Sequence, residues 1–240
     1  MNRDDIYRHA KVEEDFVFTD QVAEVFDDML DRSIPYYRQV ITMIAQLLEK
    51  YLKSGDTVYD LGCSTGTTLL ALACRLGTKG IGFIGVDSSP AMVRKAAAKA
   101  AKYSRSDVLR FVEKDILELT VENAGAVILN YTLQFIRPLQ RQEFLRQIHG
   151  FLRPGGVLIV SEKVVSSDSR LNREFIRLYH QYKKERGYSD LEIARKREAL
   201  ENVLIPFTGK ENENILRNAG FKSVESIFQW FNFISYVAVK

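Results

Sequence analysis

The chain has 240 residues, 46% hydrophobic and 27% charged, which is enough apolar material for one large domain and too much for a disordered protein. A net charge of +3 gives no strong bias toward nucleic acid, and the two cysteines, Cys63 and Cys74, make neither a disulfide framework nor a multi-cysteine zinc site by themselves. The start, MNRDDIYRHAKVEED, is charged and has no apolar leader, and no later run approaches the ~20 apolar residues of a membrane span; the expectation is a cytoplasmic protein without membrane attachment.

Two helices are predicted first, Asp20 to Arg32 and Tyr36 to Leu52, broken around Pro35. From about residue 55 to 163 short apolar runs alternate with helical patterns, the arrangement that builds a parallel sheet flanked by helices. The strands read as Thr57 to Leu61, Gly82 to Asp87, Leu109 to Lys114, Ala124 to Asn130 and Val157 to Glu162. Their nearly continuous apolar character is that of strands buried on both faces. Crossover helices read as Thr65 to Leu76, Pro90 to Tyr103 and Leu139 to Leu152, the second opened by Ser88-Ser89-Pro90. Phe151-Leu-Arg-Pro-Gly-Gly156 reads as a helix stop and a turn into the next strand. About sixty helical, charged residues follow, with Leu171 to Arg186 and Asp190 to Val203 as helices, read as an insertion or lid. The chain closes with Phe221 to Gln229 and Phe231 to Val239, a hairpin that adds antiparallel pairing to the parallel sheet.

The chemistry concentrates in Asp60-Leu-Gly62-Cys63-Ser64-Thr65-Gly66, where an acid ends the first strand and a turn of small residues opens a helix. Such a turn lets a ligand approach the backbone, and its N–H groups with the helix N-terminus favour an anionic group. Asp87 ends the second strand, where a carboxylate can accept both hydroxyls of a ribose. Ser64 and Thr67 stand where a dinucleotide fingerprint wants glycine, which disfavours NAD. Of the other basic and nucleophilic residues, Arg195-Lys196-Arg197 and the run Arg94, Lys95, Lys99, Lys102 and Arg105 read from pattern alone as solvated helix faces. His149 reads as a helix C-terminal residue, His180 as part of the lid, and Cys63 as a turn residue acting through its backbone. Phe228, Trp230, Phe231 and Phe233 read as core or interface aromatics.

The glycine turn, Asp87, Asp115-Ile116, the Leu-Arg-Pro-Gly-Gly turn and the terminal hairpin resemble the class I S-adenosylmethionine-dependent methyltransferase superfamily. That resemblance implies a Rossmann-like α/β fold with a mostly parallel seven-stranded sheet, a C-terminal antiparallel hairpin and helical additions. Further segments, among them Val22 to Tyr37, Leu129-Asn130-Tyr-Thr-Leu-Gln134-Phe135, Ser161-Glu162-Lys163, Gly187-Tyr188-Ser189, Lys196-Arg197, Leu200 to Val203 and Trp230 to Phe233, resemble the carboxy-S-adenosylmethionine synthase family of bacterial wobble-uridine modification. The chain differs from many of its members in Thr65-Gly66-Thr67-Thr68 and in Ser88, where asparagine is frequent.

This closer resemblance implies one methyltransferase-like domain over residues 1–240, with a helical extension (1–54), a cofactor-binding core (55–163), a lid (164–210) and the hairpin (221–240). It implies S-adenosyl-L-methionine as substrate and prephenate as co-substrate, giving carboxy-S-adenosyl-L-methionine and phenylpyruvate, with no metal. It implies a homodimer with no direct need for nucleic acid, the product serving a separate tRNA-modifying enzyme. Carried over residue by residue, Gly62, Cys63 and Ser64 line the methionine and ribose side, and Asp87 and Ser88 hold the ribose. Asp115 and Ile116 meet the adenine, Asn130 faces the sulfonium side, and Tyr37 approaches from the N-terminal helix. Arg197 recognises the added carboxylate, a role suited to a planar and permanently charged guanidinium. Whether Arg197 acts in its own subunit or a neighbour's stays open at this level. The alternatives are a conventional methyltransferase, with Asn130 and Tyr131 at the acceptor, and a module that binds the nucleoside without turnover.

Overall fold

In the computed structural model, which describes residues 3–9 and 15–240, the alternating runs assemble into a seven-stranded sheet. Its strands are β1 (Thr57–Leu61), β2 (Gly82–Asp87), β3 (Leu109–Glu113), β4 (Ala124–Asn130), β5 (Leu152–Lys163), β6 (Ser223–Trp230) and β7 (Phe233–Val239), in the order β3-β2-β1-β4-β5-β7-β6. The first five are parallel, whereas β7 runs antiparallel to both β5 and β6. This is the Rossmann-like methyltransferase arrangement. The helices are α1 (Ile6–His9), α2 (Asp20–Ser33), α3 (Tyr37–Tyr51), α4 (Thr67–Leu76), α5 (Pro90–Lys102), α6 (Pro138–Phe151), α7 (Ser169–Glu185), α8 (Asp190–Leu200) and α9 (Gly209–Asn218).

The continuous apolar strands are covered on both faces. On one side Val58, Ala126, Ile128, Val157 and Ile159 pack with Ile44 and Leu48 of α3 and Leu69, Leu72 and Leu76 of α4. On the other, Leu61, Val127, Leu129, Leu158 and Val160 pack with Phe144, Leu145 and Ile148 of α6 and Leu216 of α9. Alternate residues of one strand thus serve opposite cores, which is why the strand sequences show no polar alternation. The strand order reverses between β1 and β4, so the loops leaving these strands diverge and open a crevice at their C-terminal ends.

The structure departs from the sequence reading at several points. The first crossover helix starts at Thr67, because Gly66, at φ 72°, holds the N-cap position in the left-handed region. The Arg-Pro-Gly-Gly turn lies inside β5, which pairs at Leu152 with Ala124, bulges, and resumes at Val157 opposite Ala126. Helix α8 stops at Leu200, and the hairpin strands are shorter, with Phe231 at φ 42° in the turn between them. Helix α9 lies in a stretch too charged to stand out by pattern. It is fixed by a capping box in which the Thr208 hydroxyl and the Glu211 carboxylate exchange bonds with each other's backbone N–H groups.

One residue of the basic run, Lys99 on α5, is another correction. Arg94 pairs with Asp20 and Lys95 with Glu24 while Arg94 and Lys102 stay exposed, as read; Lys99, paired with Asp27 at 2.8 Å, is the one drawn in against α2. The reading fails because helical spacing cannot report what lies opposite a face. Among the described residues no helix is long and apolar enough to cross a membrane. The charged start of the chain falls partly outside the described residues.

Candidate active site

Leaving β1, Gly62 adopts φ 76°, and a Cβ built there would stand 2.5 Å from Thr132 Cγ2, so only glycine lets the turn lie against the loop after β4. Several of the turn's amides are committed within the chain rather than left for an anion. Gly62 and Cys63 donate to the Val86 carbonyl at 2.8 and 3.1 Å, and Ser64 N–H donates to Asp87 Oδ2 at 2.8 Å. They fix the carboxylate instead: with Ser89 N–H on its other oxygen at 2.9 Å, Asp87 is held rigid at the mouth of the crevice. Burial raises its pKa, and the two N–H bonds oppose that rise.

A second anchor comes from the N-terminal extension. Asp27 of α2 accepts from Thr65 and Thr67 hydroxyls at 2.6 and 2.8 Å, and Lys99 of α5 reaches both Asp27 oxygens. Burial alone would lift Asp27's pKa, but Lys99 and the two hydroxyls outweigh it and hold the carboxyl low. Ser89 Oγ donates to the Phe18 carbonyl at 2.8 Å, and Phe16 N–H to the Ala199 carbonyl at 2.9 Å, stringing residues 15–19 between α5 and α8.

These elements enclose a cavity of about 530 Å³, a volume typical of small-ligand sites. All ten residues named from the resemblance line it: Tyr37, Gly62, Cys63, Ser64, Asp87, Ser88, Asp115, Ile116, Asn130 and Arg197. Asp115 turns one oxygen to cap Leu117 N–H at 2.9 Å, and Ile116 packs against the core beneath. Asn130 donates to Thr68 Oγ1 at 3.1 Å, while its own Oδ1 is buried without a partner among the described residues. Tyr37 is buried, packs on Tyr131 at 6.5 Å between centroids, and has its phenol pKa raised by burial. Cys63 is buried with its thiol pKa raised, first by burial and then by Asp60 and Asp87, so it is no thiolate nucleophile. Arg197 is exposed at the cavity of its own chain and makes no hydrogen bond or ion pair among the described residues.

Sequence reasoning names Asp60 as the acid ending the first strand but gives it no site role, and it gives none to Lys163 or Lys183. Asp60 lines the cavity and is 2% exposed; its Oδ1 has no partner, and burial with the neighbouring Asp87 pushes its pKa up to about 7. Its place at the end of β1 was the available signal. Lys163, at the end of β5, and Lys183, on α7, also line the cavity, each ammonium close to the Tyr179 ring. Lys183 lies among charged helical residues that resemble a solvated face, and Lys163 follows a buried strand with no pattern that marks where its side chain goes. His180 joins them, its pKa lowered by burial and then by Lys183 and Arg197, while His149 packs on Phe221 at 5.0 Å, away from the cavity. The side chain of His9 lies outside the described residues.

The Arg195-Lys196-Arg197 face divides by function. Arg195 donates to the Tyr7 and Arg8 carbonyls, and buried Lys196 meets Ser33 Oγ at 3.3 Å and Asp4 at 3.5 Å. Only Arg197 is left uncommitted. The charged lining is uneven, with Asp60, Asp87 and Asp115 on the β1–β3 side and Lys163, Lys183 and Arg197 on the β5–α7–α8 side, where Glu201, just past the end of α8, is the one acid among the lining residues.

A methyltransferase-domain family model matches residues 52–220. A carboxy-S-adenosyl-L-methionine synthase of Desulfotalea psychrophila is 57% identical over 99% of this chain and 97% of the relative, and one of Wolinella succinogenes is 48% identical over 99% and 98%. The chain belongs to the carboxy-S-adenosyl-L-methionine synthase family. It is an enzyme, and S-adenosyl-L-methionine is its substrate. An O-methyltransferase family protein from Burkholderia thailandensis shares the fold, with a TM-score of 0.66 at 17% identity over 93% of this chain and 60% of that one.

The residues present suit that nucleoside. The unpartnered Asp60 and Asn130 oxygens could accept from an ammonium or face a cationic sulfur, the fixed Asp87 carboxylate could accept from a diol, and Gly62 keeps the backbone approachable. Among the described residues no cluster of three or more His, Cys, Asp or Glu is placed to hold a metal ion.

Proposed function

We propose that the protein converts S-adenosyl-L-methionine and prephenate to carboxy-S-adenosyl-L-methionine and phenylpyruvate, and that the product feeds carboxymethyl transfer in tRNA wobble-uridine modification. The observation that carries this reading is the uneven charge of the cavity lining. A methyl transfer to a neutral acceptor has no use for Lys163, Lys183 and Arg197 together beside the nucleoside with Glu201 as the one acid lining that side, whereas a dianionic carboxyl donor does.

In the proposed arrangement Asp87 and Ser88 take the ribose, Asp115 and Ile116 the adenine, Gly62, Cys63 and Ser64 the methionine and ribose side, and Asn130 with Tyr37 the sulfonium side. The sulfonium supplies one chemical property, the acidity of its methyl C–H. Prephenate loses its ring carboxylate as carbon dioxide and its hydroxyl as hydroxide while the ring becomes aromatic. The hydroxide takes the methyl proton to form water, and the methyl carbon bonds to the carbon dioxide. Net charge is conserved, because one cation and one dianion give a zwitterionic sulfonium carboxylate and a monoanion. The protein's contribution is to hold opposite charges together in a site screened from water; at ~5 Å and an effective dielectric near 20, each such pair is worth ~3 kcal/mol. Arg197 then binds the new carboxylate with two parallel N–H donors.

The residues of 164–210 act as the lid in this proposal, since α7 and α8 bring Tyr179, Lys183 and Arg197 to the cavity. The proposed assembly is a homodimer, for which exposed Leu171, Leu178 and Phe231 on α7 and the hairpin turn offer apolar surface. Incubation with S-adenosyl-L-methionine and prephenate tests the reaction. A nucleoside heavier by one carbon dioxide, formed together with phenylpyruvate, supports it; accumulation of S-adenosylhomocysteine contradicts it in favour of ordinary methyl transfer.

A further inference from the structure

We infer that Lys163 and Lys183, both close to the ring of Tyr179, form a second anion station in the cavity, which holds the carboxylate that the co-substrate keeps, while Arg197 serves the one it transfers. This rests on the proposed dicarboxylate co-substrate and assigns its orientation.

The two ammonium groups share one ring, with Lys183 Nζ 4.5 Å and Lys163 Nζ 5.2 Å from the Tyr179 centroid. Lys183 is 6% exposed. Neither ammonium makes a hydrogen bond or an ion pair among the described residues. Other lysines of low exposure are treated differently by this fold: Lys99 has Asp27 and two threonine hydroxyls, and Lys196 has Asp4 and Ser33. Withdrawing a cation from water without an anion is unfavourable, and one aromatic face compensates only part of that when two cations share it.

The surroundings add positive charge rather than relieve it. Lys183's pKa is pushed down to about 7 by burial and then by Lys196, Lys163 and Arg197, and that of Lys163 is lowered by burial and then by Arg197. Glu162, next to Lys163, is itself buried, with its pKa raised first by burial and its Oε1 without a partner among the described residues, and it makes no ion pair with Lys163. No described residue bonds to either ammonium, and a ligand carboxylate entering the cavity would supply the counter-charge. The two lysines come from β5 and α7 and Arg197 from α8, so the two stations adjoin without coinciding. A keto-acid chain borne by the carbon that loses carbon dioxide has two carboxylates separated by such a short span. One would sit at each station, and the keto acid released as product would retain the one held by the lysines.

The test uses the full chain with saturating S-adenosyl-L-methionine and titrates phenylpyruvate calorimetrically into wild type, Lys163→Met, Lys183→Met and Lys183→Arg. Both methionine variants are expected to weaken phenylpyruvate binding at least tenfold, Lys183→Arg to recover part of the loss, and S-adenosyl-L-methionine affinity to stay within twofold. Unchanged phenylpyruvate affinity in both methionine variants overturns the inference, as does an equal loss for phenylpyruvate and the nucleoside. Prephenate turnover is assayed on the same wild-type sample. Turnover with no effect of the lysines on phenylpyruvate defeats the station alone. Absence of turnover, with phenylpyruvate binding still dependent on the lysines, defeats the prephenate reading and upholds an α-keto acid station.

Discussion

Replacing Asp60 with Asn removes a charge from the least solvated acid of the site while keeping its shape. Burial and Asp87 raise the Asp60 pKa from 3.8 to about 7 in the ligand-free protein, a difference on the order of 4 kcal/mol between the two protonation states. The sign follows from proton counting. Below the unfolded value both states carry the proton and nothing is lost, whereas between pH ~4 and ~7 the folded state holds a proton that the unfolded chain has released, so stability falls as pH rises. Above about 7 the full penalty is present. Asp60→Asn is therefore expected to match wild type near pH 4 and to exceed it at pH 8, by up to ~4 kcal/mol before the cost of the new amide. A cationic ligand reverses the preference, because it binds the ionised carboxylate. Wild-type affinity for S-adenosyl-L-methionine should be about tenfold weaker at pH 6 than at pH 8 from this group alone, and the variant should lose that part of the dependence. Thermal denaturation across pH, with calorimetric binding at the two pH values, measures both. A variant less stable than wild type at pH 8, with an unchanged pH dependence of binding, would refute the reasoning.

Arg197→Ala should lower affinity for the carboxylated nucleoside by 10- to 100-fold, the worth of charge-assisted hydrogen bonds, and leave affinity for S-adenosyl-L-methionine within twofold; competition binding of the two separates these. Asp27→Asn strips Lys99 of its partner and loosens the glycine turn, with an expected loss of about 2 kcal/mol. Combined with Lys99→Met in a denaturation cycle, its effect should be less than additive. Gly62→Ala forces a side chain into φ 76° and against Thr132, so it should cost at least ~1–2 kcal/mol and reduce nucleoside binding more than tenfold. Gly150→Ala, near the end of α6 with open space around its Cβ position, serves as its control and should be neutral or slightly stabilising.

What could be read from the sequence follows from how local each cause is. Strands β1, β2 and β4 match their predicted ends because buried parallel strands are bounded by turn chemistry written beside them, and α5 is announced by Ser89 and Pro90. The turn at Gly62 and the acid at Asp87 lie within one strand-turn-helix-strand unit, so their meeting is dictated by adjacency. The pairing of Leu152 with Ala124 depends on a strand elsewhere in the chain, and the Pro-Gly-Gly signal by itself indicates only a turn. Lys99 and Lys183 are the sharper cases. Each sits on a helix whose spacing suggests solvent, and each is partly or fully covered by an element distant in sequence, one supplying Asp27 and the other supplying no acid bonded to the lysine. Arg197 was singled out by resemblance, since nothing in Arg195-Lys196-Arg197 itself distinguishes the guanidinium that faces the cavity from the one bonded to Tyr7 and Arg8.

Carbon tracing reaches the central reaction most directly. Prephenate labelled with carbon-13 only in its ring carboxylate is incubated with the protein and unlabelled S-adenosyl-L-methionine, and the nucleoside is analysed by mass spectrometry. Transfer of that carboxyl predicts one labelled carbon in the nucleoside and none in phenylpyruvate. A nucleoside without the label, with the carbon-13 recovered as bicarbonate, would contradict the account.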